Sequence, residues 1–332
     1  MFFLLAIETK NLSRRFGDFV AVNAIDLSVE KGELFGLLGP NGAGKTTTIS
    51  MLTTTLRISS GSATVNGFDV AAQPDAVRKS IGIVFQDPSL DLDLTAWENL
   101  DFHGKLYGMP EGLRHKRIAE VLKLVELDSK SNHLVKTFSG GMKRRLEIAR
   151  GLVHHPTILF LDEPTLGLDP QTRRKLWQYI KHLNEKEKIT IILTTHYLEE
   201  ADFLCNRIAI IDLGKIVALD TPTNLKKKLK GETVLVHSKN NAKIAELDLP
   251  GVFSVSQATN GVNFSVKDSN TFLPKLFEKA GQQKIVIESI EVHSPSLEDV
   301  FVQLTGHSIR EEEVSSNEQA KISMQHRGLV RR

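Results

Sequence analysis

Short apolar segments alternate with helix-like segments along roughly the first 220 residues of the chain. Each apolar segment is four or five residues long, as expected of a strand buried on both faces. These segments are Leu34–Leu38, Ile81–Phe85, Ile158–Leu161, Thr190–Leu193 and Ile208–Ile211. Between two of them, Pro170–Asn184 places Leu176, Ile180 and Leu183 at helical spacing. Strands that alternate with helices predict an α/β domain with a largely parallel sheet.

The strand pattern stops after Asp87 and returns only after about Val153. Within this interval, Thr95-Ala96-Trp97-Glu98 has the spacing of a capping box, which marks the start of a helix. Farther on, Arg117–Leu127 repeats apolar residues at helical spacing. We therefore expect a mostly helical subdomain at about 87–153, inserted between two strands of the sheet.

A second domain is predicted after Pro222, where the composition changes. Strand-like and helix-like segments follow one another there, and Thr259-Asn260-Gly261 is a hairpin signal between two of the strands. The segments are strand Glu232–His237, strands Val252–Val255 and Val262–Val266, helix Phe272–Ala280, strand Lys284–Val292 and helix Ser296–Leu304. The pattern predicts a first domain at 1–221, a small α+β domain at 223–305 and a disordered polar tail at 306–332.

Composition narrows the class of protein without adding a function. The chain has 332 residues, 41% of them hydrophobic and 25% charged, and its formal net charge is +2. These values exclude a collagen-like or disordered chain, and they predict no strong attraction to nucleic acid. The single cysteine, Cys205, cannot form an internal disulfide, so we expect a reducing compartment. The apolar start, Met1–Ile7, is too short to cross a bilayer, and we interpret it as the lead-in to a first strand.

The segment after Leu34–Leu38 carries a phosphate-binding pattern. It fits G-x-x-x-x-G-K-[ST] at every fixed position, between a predicted strand and a predicted helix. Glycines allow backbone N–H groups to surround phosphate oxygens, and the lysine adds a positive charge. The alternative, a chance glycine-rich turn, requires the pattern and its context to coincide by accident. The expected nucleotide-binding residues are Gly39, Pro40, Asn41, Gly42, Ala43, Gly44, Lys45, Thr46 and Thr47.

A second candidate site follows the strand Ile158–Leu161. Asp162 ends this strand, at the edge of a parallel sheet where ligands bind. We expect the Asp162 carboxylate and the Thr46 hydroxyl to hold Mg²⁺. Glu163 comes next and has the chemistry to polarise the water that attacks a γ-phosphate. The alternative is a solvated Asp-Glu pair before a proline turn.

Further motifs follow in a fixed order. Ser139-Gly140-Gly141-Met142 lies 94 residues after Lys45, and Asp162-Glu163-Pro164-Thr165, Gly167-Leu168-Asp169 and His196 come later. This ordered set resembles the ATP-binding cassette family over about residues 5–221. The resemblance implies a P-loop NTPase fold of that type, with ATP as substrate and Mg²⁺ as cofactor.

The resemblance also implies a role at each matching position. Ser139, Gly140 and Gly141 match the signature loop, which contacts the ATP bound to a second subunit, so a head-to-tail dimer is expected. Phe138 and Met142 depart from the usual Leu and Gln but leave Ser-Gly-Gly intact. The remaining implied roles are adenine stacking by Phe16, Mg²⁺ and water contact by Gln86, base catalysis by Glu163, subunit communication by Asp169 and γ-phosphate contact by His196.

Two segments resemble one branch of the family more closely. Phe138–Glu147 and Ser296–Phe301 are similar to ATPases of daunorubicin-resistance exporters, which carry a small domain after the cassette. This resemblance implies a motor subunit at the cytoplasmic face of the membrane, with a permease on a separate chain and a drug, lipid or glycan as cargo. A homodimer is expected, with a dimer of this chain and a related one as the alternative, and the helical subdomain is expected to dock to the permease. The alternative is a soluble cassette ATPase acting on ribosomes or DNA.

Overall fold

The computed structural model describes residues 5–229, 231–258, 261–293 and 295–305. The chain divides into two compact units, the first ending at Thr221 and the second beginning at Pro222. Two sequence expectations lie outside the described residues. These are the disordered tail at 306–332 and the Thr259-Asn260 part of the hairpin turn.

Two sheets form the first unit. Their strands are β1 (Leu5–Phe16), β2 (Phe19–Glu30), β3 (Leu34–Leu38), β4 (Ser60–Val65), β5 (Phe68–Asp69), β6 (Ile81–Val84), β7 (Ile158–Asp162), β8 (Thr190–Thr195), β9 (Arg207–Asp212) and β10 (Lys215–Asp220). The larger sheet has the order β10-β9-β3-β8-β7-β6 and is parallel except for the β9–β10 pair. The smaller sheet is antiparallel, with the order β2-β1-β4-β5.

Helices complete the first unit. They are α1 (Lys45–Leu52), α2 (Pro74–Ser80), α3 (Ala96–Leu106), α4 (Glu111–Leu124), α5 (Gly140–Leu152), α6 (Pro170–Glu187) and α7 (Leu198–Leu204). The capping box at α3 is confirmed: Thr95 Oγ1 accepts from the Glu98 N–H at 3.1 Å, and Glu98 Oε2 accepts from the Thr95 N–H at 2.8 Å. In the part of the chain that the structure describes, no helix is both long enough and apolar enough to cross a membrane.

The central strands form because their residues are apolar on both faces. All five residues of β3 are buried, and so are all five of β7. The segment between β6 and β7, all of which is described, contains α3, α4 and α5 and, as β structure, only an isolated bridge between Thr95 and Leu134. The predicted α/β class with a helical subdomain is therefore confirmed.

The second unit contains a four-stranded antiparallel sheet and four helices among the residues that the structure describes. Its elements are α8 (Pro222–Lys227), β11 (Glu232–Ser238), α9 (Asn241–Ala245), β12 (Val252–Ala258), β13 (Gly261–Val266), α10 (Ser269–Gln282), β14 (Ile287–His293) and α11 (Leu297–Thr305). The sheet order is β12-β13-β11-β14, so β11 to β14 follow the split βαββαβ topology. Val236 and Phe264 pack against Ile244 of α9 and Phe272 of α10. The predicted α+β class is confirmed.

Candidate active site

Three neighbouring strands bring the predicted motifs to one edge of the larger sheet. Parallel β3, β8 and β7 lie side by side, with Leu38 paired to Thr195 and Asp162 paired to Thr194. Because the carboxyl ends of parallel strands face the same edge, the segments after these strands meet there. This edge gathers residues that are more than 110 positions apart in the chain.

The phosphate-binding loop leaves β3 and enters α1. Gly42 and Gly44 have φ angles of 85° and 103°, a backbone conformation that side chains disfavour. At Gly44, an added Cβ would also lie 2.6 Å from the Ala21 carbonyl oxygen. The loop conformation thus depends on glycine at these positions, and it leads into the N-terminus of a helix, which attracts anions.

Lys45, the first residue of α1, is almost completely buried, with 5% of its surface exposed. Its ammonium group donates to the carbonyl oxygens of Gly39 and Pro40 at 2.8 and 3.0 Å. It also lies 3.3 Å from Oε1 of Glu163. The loop and the carboxylate therefore hold the lysine charge at the edge of the sheet.

Asp162 accepts hydrogen bonds from two hydroxyls. Thr46 Oγ1 donates to Asp162 Oδ1 at 3.2 Å, and Thr194 Oγ1 donates to the same oxygen. Burial has the largest effect on the Asp162 carboxyl and raises its pKa above the ordinary value, although both hydroxyls oppose this shift. A nearby cation would favour the ionised form of such a carboxylate.

Glu163 is the most constrained residue of the site. It is a non-glycine residue with a φ of 48°, and its N–H donates to Thr194 Oγ1 at 3.0 Å. Burial would raise the pKa of its carboxyl, but His196 and Lys45 more than offset burial and hold the pKa below its ordinary value. The carboxylate is consequently ionised at neutral pH, as a general base must be.

His196 completes the contact set. It follows β8 directly, and its Nδ1 lies 2.8 Å from Oε2 of Glu163. Its ring is also 4.1 Å from the ring of Tyr197, which Arg173 covers at 3.9 Å. Lys45, Asp162, Glu163 and His196 thus form one buried cluster, with Thr46 and Thr194 at its side.

The signature segment starts a helix. Ser139 Oγ accepts from the Met142 N–H at 3.3 Å and caps α5, and both Ser139 and Gly140 are exposed. A Cβ on Gly141 would lie 2.4 Å from Thr172 Cγ2, so a side chain there would require Thr172 to move. The helix N-terminus is accordingly open to an external anion.

Three predicted residues lie apart from the buried cluster. Phe16 ends β1 with 46% of its surface exposed, and the Arg14 guanidinium lies 4.5 Å above its ring. Gln86 is exposed in the loop after β6. Asp169 caps α6 by accepting from the N–H groups of Gln171 and Thr172, and its bonds with Thr172 lower the pKa of its carboxyl.

Sequence reasoning missed several residues of the site. Thr194 forms hydrogen bonds with the Asp162 side chain and the Glu163 backbone. Arg144 forms a hydrogen bond with the loop after β7, and Glu147 forms one with the loop after β6. The helical i,i+3 spacing of Arg144 and Glu147 was the only sequence signal for this pair. A threonine inside an apolar strand gives no signal of its own, because strands commonly contain threonine.

Comparison with known proteins places this geometry in a family. A family model described as "ABC transporter" matches residues 22–166, and a model described as "ATP-binding protein DrrA1-3-like, C-terminal domain" matches residues 221–305. The linearmycin resistance ATP-binding protein LnrL of Bacillus subtilis (strain 168) is 40% identical over 311 residues, covering 92% of this chain and all of that protein. The chain belongs to the ABC transporter ATP-binding proteins.

Other relatives of this ABC ATPase agree. The daunorubicin/doxorubicin resistance ATP-binding protein DrrA of Streptomyces peucetius is 40% identical, covering 91% of this chain and 93% of its own. The Nod factor export ATP-binding protein I of Cupriavidus metallidurans is 36% identical, covering 92% and 99%. The predicted resemblance to drug-resistance cassettes is confirmed, and the chain is an ATP-hydrolysing subunit of the ABC transporter type.

Solved structures support the same fold. The dimeric post-hydrolysis state of the ATP-binding cassette MJ0796, bound to ADP and Pi, aligns with a TM-score of 0.58 and 29% identity, covering 65% of this chain and 98% of that one. The cbiO1 structure from Clostridium perfringens, part of the ABC transporter complex cbiONQ, aligns with a TM-score of 0.63 and 27% identity, covering 68% and 91%. The ABC-type P-loop fold is therefore confirmed.

Proposed function

We propose that Lys45 binds the β- and γ-phosphates of ATP and that Glu163 is the general base for hydrolysis. The buried cluster of Lys45, Asp162, Glu163 and His196 is the observation that carries this proposal. An ionised carboxylate next to a phosphate-binding lysine can accept a proton from the attacking water. His196, 2.8 Å from Glu163, orients that carboxylate and contacts the γ-phosphate.

The surrounding loop residues complete the nucleotide site in this proposal. Gly39–Thr47 bind the phosphates through backbone N–H groups, and Phe16 stacks on adenine. Gln86 contacts the attacking water from the loop after β6. Asp169 belongs to the loop that communicates between subunits.

We propose that Mg²⁺ is the metal cofactor and that Thr46 and Asp162 hold it, with Gln86 as a further ligand. The two oxygens already lie 3.2 Å apart, and carboxylate and hydroxyl oxygens suit this hard cation. Among the described residues, no group of three or more His, Cys, Asp or Glu surrounds a possible metal position. That fits Mg²⁺, which takes few protein ligands and keeps waters and phosphates. When bound, the metal neutralises charge on the phosphates.

The working form in our proposal is a homodimer with two ATP molecules at its interface. Ser139, Gly140 and Gly141 of each copy contact the γ-phosphate bound by the other copy. The exposed, capped N-terminus of α5 supports this arrangement, because its N–H groups face an anion best when no side chain intervenes. Each copy of the chain also carries Ser139, Glu163 and His196, so a dimer of two copies has the residues for two active sites.

The partner in the membrane is proposed to be a permease on a separate chain, with this subunit at the cytoplasmic face. Large apolar side chains are exposed in the helical subdomain, including Phe102 at 60% and Leu106 at 68%, which are four residues apart on α3. Leu92 and Leu113 are also about half exposed. Exposed apolar side chains at helical i,i+4 spacing suit a docking helix from a partner.

The proposed cargo is a drug, lipid or glycan moving outward. Relatives named for linearmycin resistance, daunorubicin resistance and Nod factor export support export over action on ribosomes or DNA. The near-zero net charge agrees with the absence of a nucleic-acid partner. In this proposal, the domain at 1–221 is the motor and the domain at 223–305 has an accessory role.

Transport is tested with a candidate permease, which is co-expressed with this chain and reconstituted with it in vesicles. ATP-dependent export by the wild-type complex, lost with Glu163→Gln, is the expected result. ATPase activity that responds to ribosomes or DNA instead of the permease would contradict the transporter assignment.

A further inference from the structure

Arg144, in the second turn of α5, has a buried guanidinium that is completely hydrogen-bonded. Only 9% of its side chain is exposed. A guanidinium carries five N–H groups, and Arg144 donates five hydrogen bonds of 2.7–3.1 Å. The acceptors are the carbonyl oxygens of Phe85, Asp162, Glu163 and Pro164 and the carboxylate of Glu147.

Three of these acceptors are consecutive residues centred on Glu163. The carbonyl oxygens of Asp162 and Glu163 accept from Nη2 at 2.9 and 3.1 Å, and that of Pro164 accepts from Nε at 2.8 Å. Glu163 itself has a φ of 48°, which an L residue adopts only when its surroundings impose it. Arg144 therefore fixes the backbone turn that directs the Glu163 carboxylate.

The other contacts of the pair reach the loop that contains Gln86. The Phe85 carbonyl, directly before Gln86, accepts from Arg144 Nη1 at 2.7 Å. Glu147 Oε2 accepts from the same nitrogen at 2.7 Å, and Glu147 Oε1 accepts from the Ser89 N–H at 3.1 Å. Phe85 and Ser89, which lie on either side of Gln86, are thus both bonded to one ion pair on α5.

The ion pair by itself is weak evidence of stability. Burying two charges has a desolvation penalty that can equal their attraction, and a neutral pair of similar size is often as stable. Removing only one partner is different, because it leaves an uncompensated buried charge. This asymmetry allows a structural role and a positioning role to be separated by experiment.

We propose that Arg144 is a positioning residue for hydrolysis, acting with Glu147. The pair joins the loop that contains Gln86 to the turn that contains Glu163. Gln86, the proposed contact to the attacking water, and Glu163, the proposed base, therefore both keep a fixed position relative to α5. This inference rests on the roles proposed above for Gln86 and Glu163.

The test compares three variants of the full chain: Arg144→Met, Arg144→Lys and the double variant Arg144→Met/Glu147→Gln. Each is measured for thermal midpoint, ATP dissociation constant, KM and kcat. The double variant has no charge at positions 144 and 147, and its glutamine keeps an acceptor for the Ser89 N–H. Arg144→Lys keeps the charge but lacks the planar fork that reaches five acceptors.

We expect Arg144→Met to lower both the thermal midpoint and kcat. The double variant no longer leaves the Glu147 charge unpaired but still lacks a donor for four backbone carbonyls, so it should recover part of the midpoint and none of kcat. In the double variant and in Arg144→Lys, kcat should stay about 100-fold below wild type, as for a catalytic group misplaced by about 1 Å. The ATP dissociation constant should change by less than about threefold, since none of the five hydrogen bonds of Arg144 reaches the phosphate-binding loop. If kcat recovers together with the midpoint, the pair is merely structural and the proposal is wrong.

Two controls separate this inference from the proposed function. Arg114→Met removes another buried arginine of the helical subdomain, one that bonds Asp101 and the Met109 carbonyl, and should leave kcat unchanged. Glu163→Gln is measured alongside. An inactive Glu163→Gln with fully active Arg144 variants overturns only the positioning role, whereas an active Glu163→Gln overturns the base assignment and this inference with it.

Discussion

If Glu163 is the base, as proposed, replacing it with glutamine should separate nucleotide binding from hydrolysis. The substitution keeps the size of a side chain that is only 5% exposed and removes its charge. In the protein, that charge lies 3.3 Å from the Lys45 ammonium group. At an effective dielectric constant of about 20, the Coulomb attraction of two unit charges at this distance is about 5 kcal/mol. In the proposed site, the phosphates of ATP would compete with Glu163 for Lys45, so neutral glutamine would remove a competitor.

The expected result is therefore asymmetric. ATP binding should be as tight as in wild type or tighter, because Lys45 keeps its loop carbonyl partners and loses the rival carboxylate. Turnover should fall about 10²–10⁴-fold, the usual contribution of a general base, or about 3–5 kcal/mol of barrier. Because hydrolysis is blocked, the Glu163→Gln protein should accumulate as a dimer in the presence of ATP and Mg²⁺, and size-exclusion chromatography should detect that dimer.

The assays are ATP titration by calorimetry and steady-state phosphate release. Glu33→Gln is the matched control, since Glu33 is buried like Glu163 and is also paired with a cation, here Arg207. Glu33 precedes β3 and therefore lies at the opposite end of that strand from the site. It should retain wild-type turnover. If Glu163→Gln turns over within tenfold of wild type, Glu163 is not the base, and if it loses ATP binding, the inferred competition for Lys45 is incorrect.

Three further substitutions follow from the same contacts. Lys45→Ala removes a charge-assisted contact worth about 1.5–3 kcal/mol, so ATP titration should show affinity at least about tenfold weaker and phosphate release should stop; wild-type ATPase would contradict the loop assignment. Ser139→Arg should leave ATP binding by the monomer intact while abolishing cooperative hydrolysis, and unchanged cooperativity would argue against contact between subunits. Glu200 is buried and accepts from Thr165 Oγ1 and Trp177 Nε1 at 2.9 and 2.8 Å. Burial raises the pKa of its carboxyl against these hydrogen bonds and one from Thr195, and the Glu163 charge raises it further. A raised pKa stabilises the fold at low pH, and this stabilisation is lost as the pH rises through the folded-state value. Glu200→Gln should consequently melt higher than wild type at pH 8, with a difference that shrinks toward pH 5; a difference independent of pH would contradict this reasoning.

In the first unit, the sequence predicts the strands of the larger, mostly parallel sheet well and those of the smaller antiparallel sheet poorly. Buried parallel strands are continuous apolar runs, and Leu34–Leu38 was predicted with the bounds of β3. β1 and β2 are harder to detect, because register shifts interrupt their pairing and break the period-two alternation. One such shift lies between Thr9 and Leu12.

In the site, the residues of a local motif can be predicted from the sequence, whereas contacts between residues far apart in the chain cannot. The phosphate-binding loop is a local pattern, since its fixed residues are consecutive in the chain. Arg144 instead lies in the basic run Lys143–Arg145, which is typical of a solvated helix face, and its carbonyl partners are up to 59 residues away. Only the packing of α5 against the sheet edge brings these groups together.

The way the helical subdomain joins the sheet determines how it can move. The chain leaves the sheet at Val84 and returns at Ile158, and the strands that carry these residues, β6 and β7, are hydrogen-bonded neighbours. A rotation of α3, α4 and α5 as one body would therefore need torsional change at two adjacent connections, and it would also break the hydrogen bonds by which Arg144 and Glu147 hold α5 to the loops after β6 and β7. Such a rotation leaves the backbone hydrogen bonds between β6 and β7 intact. The contacts of the Arg144–Glu147 ion pair with these loops would be the first that the rotation changes.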